Sequence, residues 1–571
     1  MSIEMKLYNE WLENAAEDAD LRAELTECQG NNEQIRDRFY RELEFGTGGI
    51  RGVIGAGTNR MNIYTVRKAT AGLCDYLLET NPDSSVAIGY DSRIKSELFA
   101  REAARVLAAK GIRVHLYPEL MPTPCLSFAV RYLKCDAGIM VTASHNPAKY
   151  NGYKCYGSDG CQMTDLSAGM VLDKIGRLDM FSVKAADFDT ALSSGMIRYI
   201  GDDVVSAYKK EVKSQSIYPD AISNSGLKLV FTPLNGTGNK PVREVLAEMG
   251  AKNVTVVKEQ EHPDGNFPTC PFPNPEIKEA LRLGLEQSAA IGADLLLATD
   301  PDCDRVGIAV KDGDEYSLLS GNEVGALLID YICSQRVKNG TMPKDPIAVK
   351  TIVSTNLAAA IAEKYGVRMI NVLTGFKYIG EQIKLLEEQG REDRYIFGFE
   401  ESYGYLKGTY ARDKDAVVSA MMITEMACFY HAQGKSLIDV MDSLYDQYGY
   451  FLHTQSSFQC EGESGMQKMK EIMLGLQNNP PSAIGGYRVL KMADYKESRL
   501  TDIASGQVTV IDLPKSDVIV YSLEGESEVV IRPSGTEPKI KAYYTAISDT
   551  KTGAEEVFEK IRDDFTKVLG L

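Results

Sequence analysis

The feature that most constrains the fold of this chain is one layout of strands and helices that occurs three times. In each copy an apolar strand, a helix and a second strand precede a third strand that runs directly into a polar loop. The copies extend from SVAIGYDSR to GIMVTASHNP (85–147), from LKLVFTPLNGTG to DLLLATDPDCDR (227–305) and from PIAVKTIVST to RYIFGFEESYG (346–404). This alternation predicts α/β domains with mixed, largely parallel sheets, whose ligand loops follow the carboxyl ends of the strands.

The length of the chain requires several domains. Its 571 residues exceed what one hydrophobic core supports, and about 150 residues per domain suggests about four domains. Turn-rich runs near 213–226, 311–315 and 476–486 mark boundaries. We therefore predict three tandem, topologically similar α/β domains and a smaller C-terminal α+β domain. The predicted ranges are 1–40 for an N-terminal helical extension, 41–205, 206–315 and 316–455 for the α/β domains, and 456–571 for a linker and the C-terminal domain.

Charge and hydropathy argue against two classes of partner. Nucleic acids and anionic membranes attract basic surfaces, whereas this chain carries a net charge of −17, so we expect neither as a partner. The first 25 residues have the pattern of an acidic amphipathic helix and lack the basic leader and apolar core of a signal peptide. The apolar stretch 416–430 contains Glu425 and is too short to span a bilayer. We expect a cytoplasmic protein whose eleven cysteines, without a CxxC pair, stay reduced.

The loop TASHNPAKYNGYK (142–154) places a serine directly after a buried strand. Ser144 in that position is a candidate nucleophile, and His145 and Lys154 supply a proton-transfer group and a cation nearby. A turn held by asparagine and proline explains the same residues. From this loop alone, both interpretations stay open.

The loop DPDCDR presents carboxylates at alternate positions after the second apolar strand. Three such groups suit a hard divalent cation such as Mg²⁺, and the residues are Asp300, Asp302 and Asp304. An EF-hand is excluded, because its sixth and twelfth positions require Gly and Glu, where this sequence has Arg305 and Lys311. A solvated acidic turn is the alternative. The cost of placing three like charges together without a cation favours a metal site.

The third loop, GFEESYGY, combines carboxylates with a hydroxyl. Glu400 and Ser402 suit sugar hydroxyls, which both donate and accept hydrogen bonds, and Arg412 and Lys414 follow in ARDKD. A solvated surface turn is the alternative for this loop.

Two further segments suit a phosphate. The segment RPSGTEPKIK (532–541) combines a guanidinium with hydroxyls and turn amides in Arg532, Ser534, Gly535 and Thr536, although a Pro-Gly turn with incidental charges is an open alternative. FGTGGIRG (45–52) lacks the Gly-Lys-Ser/Thr ending of a Walker loop and has Arg51 where the dinucleotide pattern requires Gly. We interpret it as a loop that presents Arg51 to an anion.

Taken in this order, the segments resemble the α-D-phosphohexomutase superfamily, in its phosphoglucomutase/phosphomannomutase branch. The resemblance extends from about residue 40 to the end of the chain and rests on TASHNP, DPDCDR, GFEES and RPSGTEPK. Four smaller segments support it, namely YDSR (90–93), HPDGNFP (262–268), LSGNE (319–323) and TGFKYI (374–379).

The resemblance implies a role for each candidate residue. Ser144 would be the phosphorylated serine, and one Mg²⁺ would be held by Ser144, Asp300, Asp302 and Asp304. Sugar hydroxyls would contact Glu400 and Ser402, and the non-reacting phosphate would contact Arg532, Ser534, Gly535 and Thr536. The reaction centre would be lined by Arg51, His145, Lys154, Arg305 and Lys377, with Arg412 beside Lys414. Some members carry GEMSGH in the sugar loop; Tyr403 and Gly404 stand here instead, so the role of that histidine would fall to Lys414.

The resemblance also implies an activity and an arrangement of the domains. Four domains around a central cleft would interconvert α-D-glucose 1-phosphate and glucose 6-phosphate, through glucose 1,6-bisphosphate. Mannose and pentose phosphates are alternative substrates, and the sequence predicts no oligomeric state. A metal-dependent phosphatase is less favoured, because the five histidines are scattered and supply no two-metal cluster. A non-catalytic sugar-phosphate sensor would leave Ser144 and the three aspartates without a task.

Overall fold

A computed structural model describes residues 2–46, 48–459, 463–533 and 539–570. The helices are α1 (Ile3–Asn14), α2 (Ala19–Glu27), α3 (Asn32–Phe39), α4 (Ile63–Thr80), α5 (Ser96–Ala109), α6 (Thr123–Tyr132), α7 (Asp165–Ile175), α8 (Phe188–Ser193), α9 (Asp202–Ser214), α10 (Pro219–Ser223), α11 (Asn239–Glu248), α12 (Lys258–Glu261), α13 (Lys278–Ile291), α14 (Gly321–Lys338), α15 (Leu357–Lys364), α16 (Phe376–Glu388), α17 (Ala416–His431), α18 (Leu437–Tyr448), α19 (Glu463–Asn478) and α20 (Lys551–Val568).

The strands are β1 (Gly49–Val53), β2 (Ser85–Tyr90), β3 (Arg113–Leu116), β4 (Ala137–Val141), β5 (Tyr150–Gly157), β6 (Ile197–Tyr199), β7 (Leu229–Thr232), β8 (Val254–Val256), β9 (Leu295–Thr299), β10 (Val306–Asp312), β11 (Glu315–Leu319), β12 (Ile347–Thr351), β13 (Arg368–Val372), β14 (Tyr395–Glu400), β15 (Gly404–Leu406), β16 (Tyr450–Gln459), β17 (Ala483–Ile484), β18 (Tyr487–Asp494), β19 (Arg499–Asp502), β20 (Val508–Val510), β21 (Ile519–Leu523), β22 (Glu528–Pro533) and β23 (Lys539–Ser548). The chain forms two compact units, the first of Met1–Gly321 and Ile379–Ser436 and the second of Asn322–Tyr378 and Leu437–Leu571.

The first unit contains two mixed sheets with the same central arrangement. In the six-stranded sheet, with order β1-β5-β4-β2-β3-β6, strand β2 is parallel to both β3 and β4. In the five-stranded sheet, with order β11-β10-β9-β7-β8, strand β7 is parallel to both β8 and β9. Every residue of β2, β4, β7 and β9 is buried, as expected for parallel strands covered on both faces. These sheets confirm the α/β prediction for the first two copies of the repeat.

The third copy of the repeat also forms, with its strands divided between the two units. In the second unit β12 is parallel to β13, and in the first unit β14 pairs antiparallel with β15. The helix of the first copy is Ser96–Ala109, and that of the third copy is Leu357–Lys364.

The N-terminal extension differs from its prediction. The sequence predicts one amphipathic helix over the first 25 residues, but the structure has two. The first helix ends at Asn14, and Asp18 caps the start of α2 by accepting a hydrogen bond from the Asp20 amide at 3.0 Å. Trp11 of α1, only 1% exposed, packs edge-on against Phe39 of α3. With α3, these two helices cover the first domain with apolar side chains from each helix.

The second unit ends in an antiparallel sheet with order β16-β23-β22-β21-β18-β19-β20. Helix α20 packs on this sheet through Ala554, Ile561 and Phe565, which are all buried. This β-rich domain with its C-terminal amphipathic helix confirms the predicted α+β unit. Among the described residues, no helix combines the length and the apolar character that crossing a membrane requires.

Candidate active site

Ser144 occupies a tight turn immediately after β4. Its backbone is left-handed, with φ of 51°, and its N–H donates to Thr142 Oγ1 at 2.8 Å. The side chain is buried, and its Oγ donates to Asp300 Oδ2 at 2.9 Å and lies 3.3 Å from His145 Nδ1. The turn therefore directs the Ser144 hydroxyl at the aspartate loop of the neighbouring sheet.

Arg93 holds this turn through hydrogen bonds to its backbone. Its guanidinium donates to the backbone carbonyls of Ser144 and Asn146, and to those of Pro147 at 3.0 Å and Tyr150 at 3.1 Å. Asp91 Oδ2 lies 3.4 Å from Arg93 Nε, and both side chains are fully buried. One arginine thus satisfies four carbonyls of a loop that has little regular structure of its own.

The aspartate loop follows β9 and brings its three carboxylates together. Oxygens of Asp300, Asp302 and Asp304 all lie within 4.8 Å of one another, and each residue is 1% exposed or less. The backbone amides of Asp304 and Arg305 donate to Asp300 Oδ1 at 3.1 and 3.0 Å. Thr123, at the start of α6, donates to Asp302 Oδ2 at 3.0 Å.

Two lysines partly neutralise this cluster. Lys154 Nζ lies 3.0 Å from Asp302 Oδ2, and Lys414 Nζ lies 3.1 Å from Asp304 Oδ2 and 3.0 Å from Asp413 Oδ1. Burial, followed by repulsion from the other two carboxylates, raises the pKa of Asp300 well above its usual range. Burial also disfavours ionised Asp302, but Lys154, a hydrogen bond with Asp300 and Lys414 together outweigh that effect and lower its pKa.

The three aspartates fit a hard divalent cation. Asp302 Oδ1 and Asp304 Oδ1 are buried oxygens without a hydrogen-bond partner, which is costly for a carboxylate unless a cation binds it. All candidate ligands are oxygens, a donor set that suits Mg²⁺ better than a soft metal. Ser144 Oγ, which donates a hydrogen bond to Asp300, adds a further oxygen at the edge of the cluster.

The third loop follows β14 in the first unit and adjoins Lys414. Ser402 Oγ donates to Glu400 Oε1 at 3.1 Å, and Tyr403 is left-handed with φ of 63°. A Cβ on Gly404 would lie 2.2 Å from Lys414 Cδ and 3.1 Å from Glu400 Cγ. The missing side chain at Gly404 therefore leaves the space through which Lys414 reaches Asp304.

Comparison with known proteins identifies the family. Models of the α/β/α domains I, II and III of phosphoglucomutase/phosphomannomutase match residues 42–179, 206–313 and 320–448. A phosphoglucomutase of Staphylococcus saprophyticus is 36% identical over 539 residues, which cover 94% of this chain and 95% of that protein. The chain belongs to the phosphoglucomutase/phosphomannomutase family. Its membership confirms the predicted class of enzyme, an isomerase that transfers a phosphoryl group.

Other relatives agree with this assignment. A phosphoglucomutase of Staphylococcus aureus is 37% identical over 537 residues, covering 93% of this chain and 94% of that protein. The crystal structure of a putative phosphomannomutase from Thermus thermophilus has a TM-score of 0.68 at 23% identity, covering 92% of this chain and 99% of that one. An open-form phosphoglucomutase from Paramecium also has a TM-score of 0.68, at 16% identity, covering 93% of this chain and 96% of that one. The two crystal structures share the fold.

The structure brings most of the candidate residues of the first unit into one site. Arg51, on β1, donates to Asn146 Oδ1 in the serine loop at 3.2 Å. Arg305 follows Asp304, and its Nη1 lies 2.8 Å from Glu276 Oε1. Burial, followed by the cations of Arg305 and Arg51, lowers the pKa of His145 well below its ordinary value.

Arg412 lies apart from this group. Its side chain has no exposed area, and its guanidinium donates to Glu387 Oε2 at 2.7 Å and to the carbonyl of Thr409. These contacts give Arg412 a packing role, whereas the adjacent Lys414 faces the aspartates. The contact of Arg412 with the substrate stays a prediction.

The remaining candidates belong to the second unit. Lys377, in the first turn of α16, is 8% exposed, and its ammonium lies 4.9 Å from the centroid of the Tyr378 ring. Arg532 stands on β22 opposite Lys541 of β23. Ser534, Gly535 and Thr536 lie outside the described residues.

Sequence reasoning missed several residues that support the site. Arg93 was noted only as part of YDSR, and no signal in the sequence connects it to the carbonyls it binds. Thr123 and Glu276 carry no motif, so their contacts with Asp302 and Arg305 appear only in the fold. Asp413 was visible in ARDKD, and its contact with Lys414 follows from their adjacency.

Proposed function

We propose that this enzyme interconverts α-D-glucose 1-phosphate and glucose 6-phosphate, with Ser144 as the carrier of the phosphoryl group. The observation that carries this proposal is the hydrogen bond from the buried Ser144 hydroxyl to Asp300, within a cluster of three carboxylates and two lysines. A phosphate on Ser144 would therefore lie among groups suited to bind a cation and anionic oxygens. The names of the staphylococcal relatives support the choice of glucose.

The proposed reaction consists of two transfers of opposite direction. In the first, the free hydroxyl oxygen of the sugar monophosphate forms a bond to phosphorus, and the bond from phosphorus to Ser144 Oγ breaks. In the second, Ser144 Oγ takes the other phosphoryl group from the resulting bisphosphate. His145, Lys154 and Lys414 are the proposed groups for moving the proton of the hydroxyl. Glucose 1,6-bisphosphate is thus the proposed intermediate and activator.

Ser144, Asp300, Asp302 and Asp304 are the proposed ligands of one Mg²⁺. When bound there, a cation would neutralise negative charge on the oxygens of the transferred group. Lys154 and Lys414 would supply further positive charge at the same place, and Arg51 and Arg305 are the proposed contacts of the reacting phosphate. Excluding water from this site would protect the phosphoserine from hydrolysis, since water competes with the sugar for the phosphoryl group.

The other candidates are proposed as substrate contacts. We assign sugar hydroxyls to Glu400 and Ser402, and the non-reacting phosphate to Arg532, Ser534, Gly535 and Thr536. Lys377 and Arg412 are proposed as additional contacts. The expected surroundings are the cytoplasm, a proposal supported by the ten described cysteines, which are all buried and outside disulfides.

An isotope experiment tests this mechanism. Ser144 is first charged with labelled phosphate, and unlabelled glucose 1-phosphate is then added. Because each cycle leaves the substrate's own phosphate on the enzyme, the first glucose 6-phosphate released should carry the label. Unlabelled product from labelled enzyme would contradict the proposal. Ser144→Ala is the matched variant, and it should take up no phosphate by intact-mass analysis and give no isomerisation.

A substrate panel separates the alternative sugars. The ratio kcat/KM is compared for the 1-phosphates of glucose, mannose, ribose and deoxyribose, under the same conditions. We expect glucose 1-phosphate to give the highest value. A higher value for a pentose phosphate would retain the phosphoserine chemistry and reassign the substrate.

A further inference from the structure

One segment of the second domain contacts both Arg93, which holds the Ser144 turn, and Arg305, which follows the three aspartates. Residues 262–277 connect α12 to α13, and their HPDGNFP motif has no role in the mechanism above. Near one end, the ring of Phe267 lies 5.1 Å from the guanidinium of Arg93, which holds the Ser144 turn. At the other end, Glu276 Oε1 lies 2.8 Å from Nη1 of Arg305, which directly follows Asp304.

The Phe267 end is built for close contact with the first domain. Phe267 is 1% exposed and has a left-handed backbone with φ of 47°, an uncommon conformation for a bulky residue. A Cβ on Gly265 would lie 2.4 Å from the amide nitrogen of Ile94, so the segment packs directly on the backbone beside Arg93. The aromatic face excludes water from Arg93, and the cation–π contact offsets part of the cost of burying its charge.

The Glu276 end is fixed equally closely to the aspartate loop. The amide of Glu276 donates to Asn274 Oδ1 at 3.1 Å. A Cβ on Gly307 would lie 2.3 Å from the carbonyl oxygen of Pro275, so β10 approaches the segment backbone two residues after Arg305. Arg305 is thereby held between Glu276 and the aspartates.

The middle of the segment is anchored in its own domain. Cys270 is buried in a small apolar cluster with Leu234 and Ala280, and its amide donates to the Phe267 carbonyl at 3.0 Å. Asn235 Nδ2 donates to the His262 carbonyl at 2.8 Å, and the Asn235 carbonyl accepts from the Asp264 amide at 3.1 Å. A segment held at both ends and in the middle transmits displacement instead of absorbing it.

We propose that residues 262–277 act as a strut that sets the position of the Ser144 turn relative to the aspartate loop. Phe267 and Glu276 are the positioning residues at its two ends, and neither contacts the reacting atoms. The catalytic part of this proposal rests on the proposed role of Ser144; the structural part does not. Small errors in the distance between a nucleophile and its cation site are costly to the rate, so the strut contributes to turnover.

Hydrogen–deuterium exchange tests the structural part without any assay of activity. Two variants are compared with the wild type, Phe267→Leu, which removes the ring face, and Glu276→Gln, which keeps the side-chain volume. Phe272, in the same segment and 57% exposed, supplies the control Phe272→Leu. If the segment is a strut, a change at either end loosens the far loop. Amides of 299–305 should therefore exchange faster in Phe267→Leu, and those of 142–150 faster in Glu276→Gln.

The direct bond from Ser144 to Asp300 is a second route between the loops, so both variants are also made in a Ser144→Ala background. The far-loop effects should persist there. Effects confined to the nearer loop, or effects that vanish with Ser144→Ala, would overturn the strut. If Phe267→Leu does not fold, Glu276→Gln alone decides the question, because its effect on 142–150 is independent of the ring.

Kinetics then tests the catalytic part. We expect kcat of Phe267→Leu to fall about 10- to 100-fold with KM for glucose 1-phosphate unchanged, and Phe272→Leu to match the wild type. Combining Phe267→Leu with Glu276→Gln should cost less than the product of the two single effects, since both act on one coupling. Multiplicative effects would overturn a shared role. A wild type that never carries phosphate on Ser144 would overturn the proposed function, and the exchange results would still decide the strut.

Discussion

At the scale of single residues, the site depends on a glycine that leaves space as well as on the reactive side chains. Lys414 reaches Asp304 by running past Gly404, and no larger residue leaves that space. Ser144 likewise depends on a left-handed turn, in which its hydroxyl points to Asp300. The chemistry proposed for this enzyme thus requires particular backbone positions, and their residues can be tested singly.

Gly404→Ala should displace Lys414 from Asp304. The new methyl group would lie 2.2 Å from Lys414 Cδ, and the flexible lysine will move before the strand does. We expect kcat/KM to fall about 10- to 100-fold, the effect of losing one charge-assisted contact of about 1.5–3 kcal/mol, and the thermal midpoint to fall as well, because buried Asp304 loses an ion-pair partner. Gly226→Ala is the control, since a Cβ there meets no atom within 4 Å. Wild-type kinetics for Gly404→Ala would remove Lys414 from the reaction.

His453 should make the stability of the protein depend on pH. Burial, followed by the positive charge of Lys350, lowers its pKa from an ordinary 6.5 to about 3, and Thr545 Oγ1 lies 3.1 Å from its Nδ1. Between these two pKa values the folded state binds fewer protons at His453 than the unfolded state does. The contribution of His453 to stability is therefore lost as pH falls below about 6.5 and is constant above it. His453→Gln should therefore lose less of its unfolding temperature than the wild type between pH 7.5 and pH 5.

Differential scanning fluorimetry across that pH range measures the effect. The difference between variant and wild type isolates His453 from all other groups. His431→Gln, which changes an exposed histidine at the end of α17, should follow the wild type at every pH. Parallel curves for all three proteins would show that His453 is protonated equally in both states.

At the scale of elements, the N-terminal helices form part of the core of the first domain. Trp11 contacts Phe39 at 5.8 Å, Tyr64 at 5.6 Å and Phe181 at 5.4 Å between ring centroids, so α1, α3 and α4 meet at one aromatic cluster. Arg38 adds polar contacts, donating to Glu24 and to the carbonyl of Ala56. The latter lies in the loop after β1, the strand that carries Arg51.

Phe39→Ala should destabilise the first unit strongly, and Tyr40→Ala should not. Phe39 is 1% exposed, and replacing such a ring by alanine costs about 3–5 kcal/mol in free energy of unfolding. Tyr40, the next residue, is 50% exposed. Trp11 is the only tryptophan of the chain, so its fluorescence follows this cluster directly, and its emission should shift to longer wavelength in Phe39→Ala. Equal stability of the two variants would show that the extension is loosely attached.

At the scale of the whole molecule, a strongly acidic protein contains a site that is lined by positively charged side chains. The net charge is −17, yet Lys154, Lys414, Arg51 and Arg305 lie around the aspartates and the Ser144 turn. Part of the acidity is itself concentrated at the site, in three buried carboxylates. A bound divalent cation would therefore change the stability of the protein as well as its activity.

Mg²⁺ should raise the thermal midpoint, and chelation should lower it. The reason is that a ligand bound only by the folded state stabilises it in proportion to the logarithm of its concentration above Kd. Trp11 fluorescence is recorded on heating after exhaustive chelation and then with increasing Mg²⁺, with NaCl at equal ionic strength as the control. We expect the midpoint to rise continuously with Mg²⁺ and not with NaCl. An unchanged midpoint, with activity retained after chelation, would contradict the proposed metal site.

The sequence by itself determined the α/β architecture, the three polar loops and the family. Strand and helix periodicity is a local property, and a loop such as DPDCDR keeps its chemistry wherever the chain carries it. The proximity of Ser144, Asp300 and Lys154 was implied only by the resemblance to the family, because the strands that carry the two loops belong to separate sheets. The single N-terminal helix was wrong, since the pattern of apolar residues did not reveal the break before Asp18.

Only the tertiary structure decided which groups serve the site from a distance. Arg412 and Lys414 are two residues apart in the sequence, yet one is buried against Glu387 and the other faces Asp304. Arg93 and Phe267 meet although 174 positions of chain separate them. Such contacts depend on how two domains pack, and no local pattern encodes the direction of a side chain relative to a neighbour that is remote in the sequence.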